Sequence, residues 1–195
     1  MKARYCTLGI ALLAVLFFIG MIGCGGVIPP AKYTGGGTVD SAKYKCADGE
    51  KANFGFVANN CGEEIKGHIT YHDKFYPLYG LHCPGDTDFE KANKQGVKLM
   101  GEIMGECDGN SIKFSYVSQN PFCPGEGIGT AWVEDNGEGA NAEDDDLFCI
   151  YIKSGPFDDY RNCGKKKYGE YQGRVVQGNI QYHPCDGSDG GELIW

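Results

Sequence analysis

Short runs of alternating apolar residues, separated by glycine-rich or acidic turns, recur along residues 37–183. A chain patterned in this way has few means of burying its apolar side chains other than an antiparallel sheet. The strongest instance runs from Ile128 to Lys153. Its first arm places Ile128, Thr130 and Trp132 on one face and Gly129, Ala131 and Val133 on the other. Its second arm sets Phe148, Ile150 and Ile152 against Leu147, Cys149 and Tyr151. Both arms are apolar on both faces, which predicts a long-looped hairpin covered on both sides at the centre of a β domain. Strands are expected at 37–41, 52–58, 65–73, 96–106, 111–118, 127–135, 147–153 and 169–183. The expected fold is therefore all-β, with about eight antiparallel strands in a meander that forms a closed or nearly closed barrel, a sandwich being the alternative. Glycine, 31 of 195 residues, is used at roughly twice the average of about 7%, as tight turns require. The only helical signal is a single turn within residues 89–94, inside a long connection, 74–95. A second long connection spans 154–168.

The N-terminus places two cations, Lys2 and Arg4, before an apolar run from Leu8 to Ile22 that ends in Met21-Ile22-Gly23-Cys24. This is the layout of a signal peptide, and the run is shorter than the ~20 residues that span a bilayer. The last four residues resemble the lipobox of bacterial lipoproteins, with Met21 where Leu is usual. That resemblance implies cleavage before Cys24, acylation of Cys24 and a membrane partner through the lipid. Gly25, in place of Asp, resembles the pattern of lipoproteins sorted to the outer membrane. The alternative is an uncleaved anchor. Residues 1–23 are thus read as signal peptide, 24–36 with Pro29-Pro30 and Gly35-Gly36-Gly37 as a tether, and 37–195 as one domain in the cell envelope.

Removal of residues 1–23 takes away Lys2 and Arg4 and no acids, leaving 16 basic and 26 acidic residues, a formal charge of −10. No nucleic-acid partner is expected, because phosphate binding draws on clustered Lys and Arg and the only cluster is Lys165-Lys166-Lys167. Eight cysteines remain besides Cys24: Cys46, Cys61, Cys83, Cys107, Cys123, Cys149, Cys163 and Cys185. An even number in an exported chain reads as disulfides, while C-x2-C pairs and a haem-attachment motif are absent. In a meander, successive loops alternate between two ends. That arrangement puts Cys46, Cys83, Cys123 and Cys163 at one end and Cys61, Cys107, Cys149 and Cys185 at the other. Within those sets neighbouring strands favour Cys83–Cys123, Cys46–Cys163, Cys149–Cys185 and Cys61–Cys107.

Candidate chemistry is sparse. Asp135, Glu138, Glu143, Asp144, Asp145 and Asp146 offer hard oxygen ligands of the kind calcium takes, but the loop does not follow EF-hand spacing. A solvated loop whose charge blunts sheet-to-sheet association is the rival reading. His68 and His72 share a strand face but lie about 13 Å apart at strand rise, too far for one metal. Ser111, Ser115, Ser118 and Ser154 lack a nucleophile-elbow motif. Phe75, Tyr76, Tyr79, Phe157 and Tyr160 in the long loops form either a protein- or glycan-binding patch or a small core beneath those loops. No cofactor and no catalytic residue is expected. A carboxylate-dependent hydrolase is the weaker alternative to a binding or structural role.

Several segments, in order, carry a wider resemblance: Gly35-Gly36-Gly37, Phe54-Gly55-Phe56, Gly67-His68-Ile69-x-Tyr71-x-Asp73, Val133-x-Asp135-Asn136-Gly137-Glu138-Gly139, Asp146-x-Phe148-x-Ile150 and Gly178-Asn179-Ile180-Gln181-Tyr182-His183. Together they resemble the post-COAP-1 family of β-rich modules in exported bacterial proteins. The resemblance implies a β fold and an extracytoplasmic setting and supplies no catalytic residues. The chain departs from it in both long loops, in its cysteines and in Gly139, where Pro is usual. Tyr44-Lys45-Cys46-Ala47-Asp48-Gly49 is similar to the opening of MliC-type lysozyme inhibitors, which implies an inhibitor role as a second possibility.

Overall fold

The computed structural model describes residues 31–42, 50–78, 81–85, 87–104, 110–137, 145–162 and 173–185. Among these residues nine strands form one antiparallel sheet: β1 (Ala31–Asp40), β2 (Lys51–Asn59), β3 (Lys66–Asp73), β4 (Val97–Ile103), β5 (Ser111–Ser118), β6 (Glu126–Glu134), β7 (Leu147–Ile152), β8 (Arg161–Asn162) and β9 (Gln177–Pro184). A helix, α1 (Phe89–Gln95), interrupts the first long connection, capped by Asp88, whose side chain accepts from the Lys91 amide. The order β8-β7-β6-β5-β4-β3-β2-β1-β9 is a meander whose last strand returns to pair with its first. Phe54 on β2 and Phe148 on β7 stand five places apart in that order, yet their rings stack at 4.1 Å. Only a sheet curled on itself permits this contact, and the sheet is a half-barrel.

Alternation decides which side chains fill the curl. Inward parity carries Phe54, Phe56, Ile69, Tyr71, Leu99, Phe114, Tyr116, Val133, Phe148, Ile150 and Ile152, all buried. Burying each such side chain stabilises the fold by roughly 1.5–3 kcal/mol. Outward parity carries Thr70, Met100, Lys113, Val117, Ile128 and Trp132, and Met100 is 53% exposed.

Two expectations change. The β6–β7 hairpin is not central, because β4 is the middle strand of nine. Nor is it covered on both faces. Its outer face meets solvent along the convex side of the curl, leaving Trp132 44% exposed with its Nε1–H donating to Glu134 at 2.6 Å. The tether, expected to reach residue 36, already becomes strand at Ala31. Gly35, Gly36 and Gly37 pair with Phe56, Gly55 and Phe54 on one side and with Ile180, Asn179 and Gly178 on the other. A glycine triplet serves the sheet here because a Cβ at Gly37 would lie 2.1 Å from the Gln177 carbonyl oxygen. No helix among the described residues is long and apolar enough to cross a membrane.

Among the described residues two cysteine pairs staple the curl. Cys83–Cys123, as expected, joins the 74–96 connection to the β5–β6 loop, with Cα atoms 5.0 Å apart. Cys61–Cys185 replaces the expected Cys61–Cys107 and Cys149–Cys185 pairs. β1 lies between β2 and β9, so the residues just past both neighbours meet beside Ala31. Each bond joins loops at a single end of the meander, the two bonds lying at opposite ends. Cys149 is also disulfide-bonded. Cys24, Cys46, Cys107 and Cys163 lie outside the described residues.

Candidate functional site

Among the described residues the densest polar arrangement lies at one end of the half-barrel, where β3 ends and residues of the two long connections meet. Ile69, Tyr71 and Asp73 share the inward parity of β3, so the alternation that buries Tyr71 also buries Asp73, which is fully enclosed. A buried carboxylate needs donors to replace water, and Asp73 has four. Oδ1 accepts from the Ser41 hydroxyl at 2.6 Å and the Phe75 amide at 3.2 Å. Oδ2 accepts from the Ala42 amide at 2.8 Å and the Tyr160 hydroxyl at 2.9 Å. Because the Tyr160 proton goes to Asp73, Tyr71 donates to Tyr160 across their 2.7 Å contact, and the Asn162 amide donates to Tyr71 at 2.7 Å. The result is a one-directional chain, Asn162 to Tyr71 to Tyr160 to Asp73, in which each bond polarises the next.

Burial, followed by the negative charge of Asp73, raises the Tyr71 hydroxyl above its ordinary pKa. Tyr160 is raised well above its own, by burial and then by Tyr71 and Asp73. At the neighbouring Tyr116, burial outweighs the amide of Phe157 and pushes the hydroxyl up to about 12. All three therefore stay neutral hydrogen-bonding groups through physiological pH. The network ties together segments far apart in the chain, with the Asp73–Tyr160 pair 87 residues apart.

Around it the loops are fixed. Asn120, fully buried, donates from Nδ2 to Ala92 O and Gly96 O and accepts from the Phe122 amide, pinning α1 to the β5–β6 loop beside Cys83–Cys123. The long-loop aromatics differ in burial. Phe157 and Tyr160 are core, Tyr76 packs edge-on against Tyr160 at 4.7 Å, and Phe75 is 38% exposed at the rim. Tyr79 lies outside the described residues.

Of the expected calcium ligands, Asp135, Asp145 and Asp146 are among the described residues. Glu138, Glu143 and Asp144 lie outside the described residues. Asp146 accepts from the Asn136 and Ile180 amides, and Asp135 from the Gly137 and Tyr182 amides. Asp145 pairs with Arg174. Among the described residues no group of three or more potential metal ligands occurs. His72 bonds the Gln95 carbonyl at 2.9 Å and His183 bonds Thr34 at 3.3 Å, while His68 stands apart on the outer face of β3. A shallow hollow of about 240 Å³ opens on that outer face, lined by Asn53, Thr70, His72, Lys98, Met100 and Gln119 among others.

Sequence reasoning missed Ser41, Asp73, Asn120 and Asn162. The available signal was parity: Asp73 is the one acid in phase with Ile69 and Tyr71. No protein-family model, no curated protein and no solved structure matches the chain.

Proposed function

We propose that the protein is a non-catalytic binding protein of the bacterial cell envelope, anchored by lipid on Cys24 and presenting its stapled loop end to a protein or glycan partner. The observation that carries this reading is the polarity of β1. It enters the sheet at Ala31, beside Cys61–Cys185, whereas the long connections, Cys83–Cys123 and the Asp73 network lie at the opposite end. The seven residues from Cys24 to Pro30 extend at most about 25 Å, so the stapled end faces away from an anchored N-terminus. The binding role is further supported by the interior itself. The rings of Phe54, Phe56, Tyr71 and Phe148 fill the curl, and both oxygens of the one buried acid beneath the loops already accept hydrogen bonds.

Two measurements test the proposal. Cys24→Ser is expected to stop processing and detergent partitioning, and a mass spectrum of an unmodified chain beginning at Met1 would end the anchoring part. Cross-linked partners are expected to be lost from Phe75→Ala with Tyr76→Ala at the stapled end and kept by Trp132→Ala on the outer face, with loss in the last variant alone sinking the orientation. The lysozyme-inhibitor alternative rests on Tyr44 to Gly49, which lies outside the described residues. A stable complex with lysozyme in gel filtration would favour it.

A further inference from the structure

Among the described residues β8 and β9, the two ends of the strand order, do not pair with each other; the chain enters β9 through Gly173 to Val175, which bond the start of β7, and from there the open side of β9 runs beside the β6–β7 stem. Successive residues of an edge strand point their amides alternately to the paired and the open side. On β9 the open-side amides include those of Ile180 and Tyr182, and both donate to carboxylates: Ile180 to Asp146 Oδ2 at 2.6 Å and Tyr182 to Asp135 Oδ2 at 2.7 Å. At the next position in that alternation stands Pro184, which has no N–H. The two acids flank the base of one loop and are themselves fixed. The second oxygen of Asp146 holds the Asn136 amide and that of Asp135 the Gly137 amide, while the Asp146 carbonyl accepts from Val175.

We propose that Asp135 and Asp146 form a latch: their side chains occupy the donor edge of β9 in place of a neighbouring strand and so keep that edge from adding a strand of a second copy of the chain. An unpaired edge is a template for strand addition, and a carboxylate at 2.6–2.7 Å is a stronger acceptor than the carbonyl an incoming strand would offer. The latch thus does for this edge what full closure does for a barrel.

Amide hydrogen exchange on the full chain in detergent, with sedimentation to read association, tests the proposal. Asp135→Ala with Asp146→Ala is expected to speed exchange at Ile180 and Tyr182 by roughly ten- to hundredfold, the loss of one charge-assisted bond each. It is also expected to produce concentration-dependent self-association. Asp146 is 7% exposed, and its loss also opens a packed site. The single Asp135→Ala change therefore decides the matter if the double variant does not fold. Tyr182 should then exchange faster while Ile180 stays protected, and Asp135→Asn, which keeps an acceptor oxygen, should restore most of the protection. Unchanged exchange at Tyr182 would overturn the latch, and fast exchange at both amides in a double variant that remains monomeric at every concentration would overturn its role as an edge guard.

Discussion

Asp73 is the residue on which the stapled end of the molecule depends. Its carboxylate receives Ser41, Ala42, Phe75 and Tyr160 from three separate segments, so its removal strands several buried donors at once. Asp73→Ala is expected to destabilise the fold by on the order of 3 kcal/mol, against roughly 1–2 kcal/mol for Tyr160→Phe, which removes only one hydroxyl. Urea unfolding checks both, and a cost for Asp73→Ala no larger than that for Tyr160→Phe would refute the multiple-donor account. The tyrosines add a pH dependence whose sign is fixed. Tyr116 is raised from 10.0 to about 12, chiefly by burial, and Tyr71 and Tyr160 are raised in the same direction. The unfolded chain therefore releases these protons first, and stability is complete below about pH 10 and falls as pH rises from there toward and beyond 12. A tyrosinate absorbance titration should show this group ionising only together with unfolding. Parity along β3 made the burial of Tyr71 legible from sequence, but the partners of Asp73 come from residues with no periodic signal.

Strand glycines divide into two kinds. A Cβ at Gly101 would lie 2.4 Å from the Ser115 carbonyl oxygen, whereas at Gly55 the nearest atom is the movable Thr70 hydroxyl at 3.3 Å. Gly101→Ala must push strand from strand and is expected to cost more than 2 kcal/mol, within the range of overpacking penalties of about 1–3 kcal/mol. Gly55→Val, on the outer face, is expected to be neutral or stabilising by up to about 1 kcal/mol, since valine suits a pleated strand better than glycine. Thermal melts of the two variants moving in the same direction would contradict this division. The same contrast explains why element limits were unevenly legible. The alternation in β2, β3, β5 and β7 marks those strands to within about two residues of their observed ends, but β1 hid behind a glycine triplet that resembles linker. β8, two residues long, has no period to read.

For the whole molecule, the meander could be read from the chain because from β1 to β8 each strand pairs with its sequence neighbour, and turn signals between alternating runs report just that. The return of β9 to β1 is nonlocal, and no local signal announces it. One global constraint nevertheless reached across the chain: in a meander, loops alternate between ends, and a disulfide cannot span a strand. Its Cα atoms lie within about 7 Å, whereas a seven-residue strand extends roughly 23 Å. Cys83–Cys123 and Cys61–Cys185, with Cα separations of 5.0 and 5.4 Å, each obey this partition. The error within the second set arose because β1 was taken as one short strand rather than as the ten-residue spine between β2 and β9. Non-reducing peptide mapping is expected to recover both bonds. A bond joining Cys61 or Cys185 to Cys83 or Cys123 would mean that the chain in solution does not keep this strand order, and the proposed orientation of the two ends would fall with it.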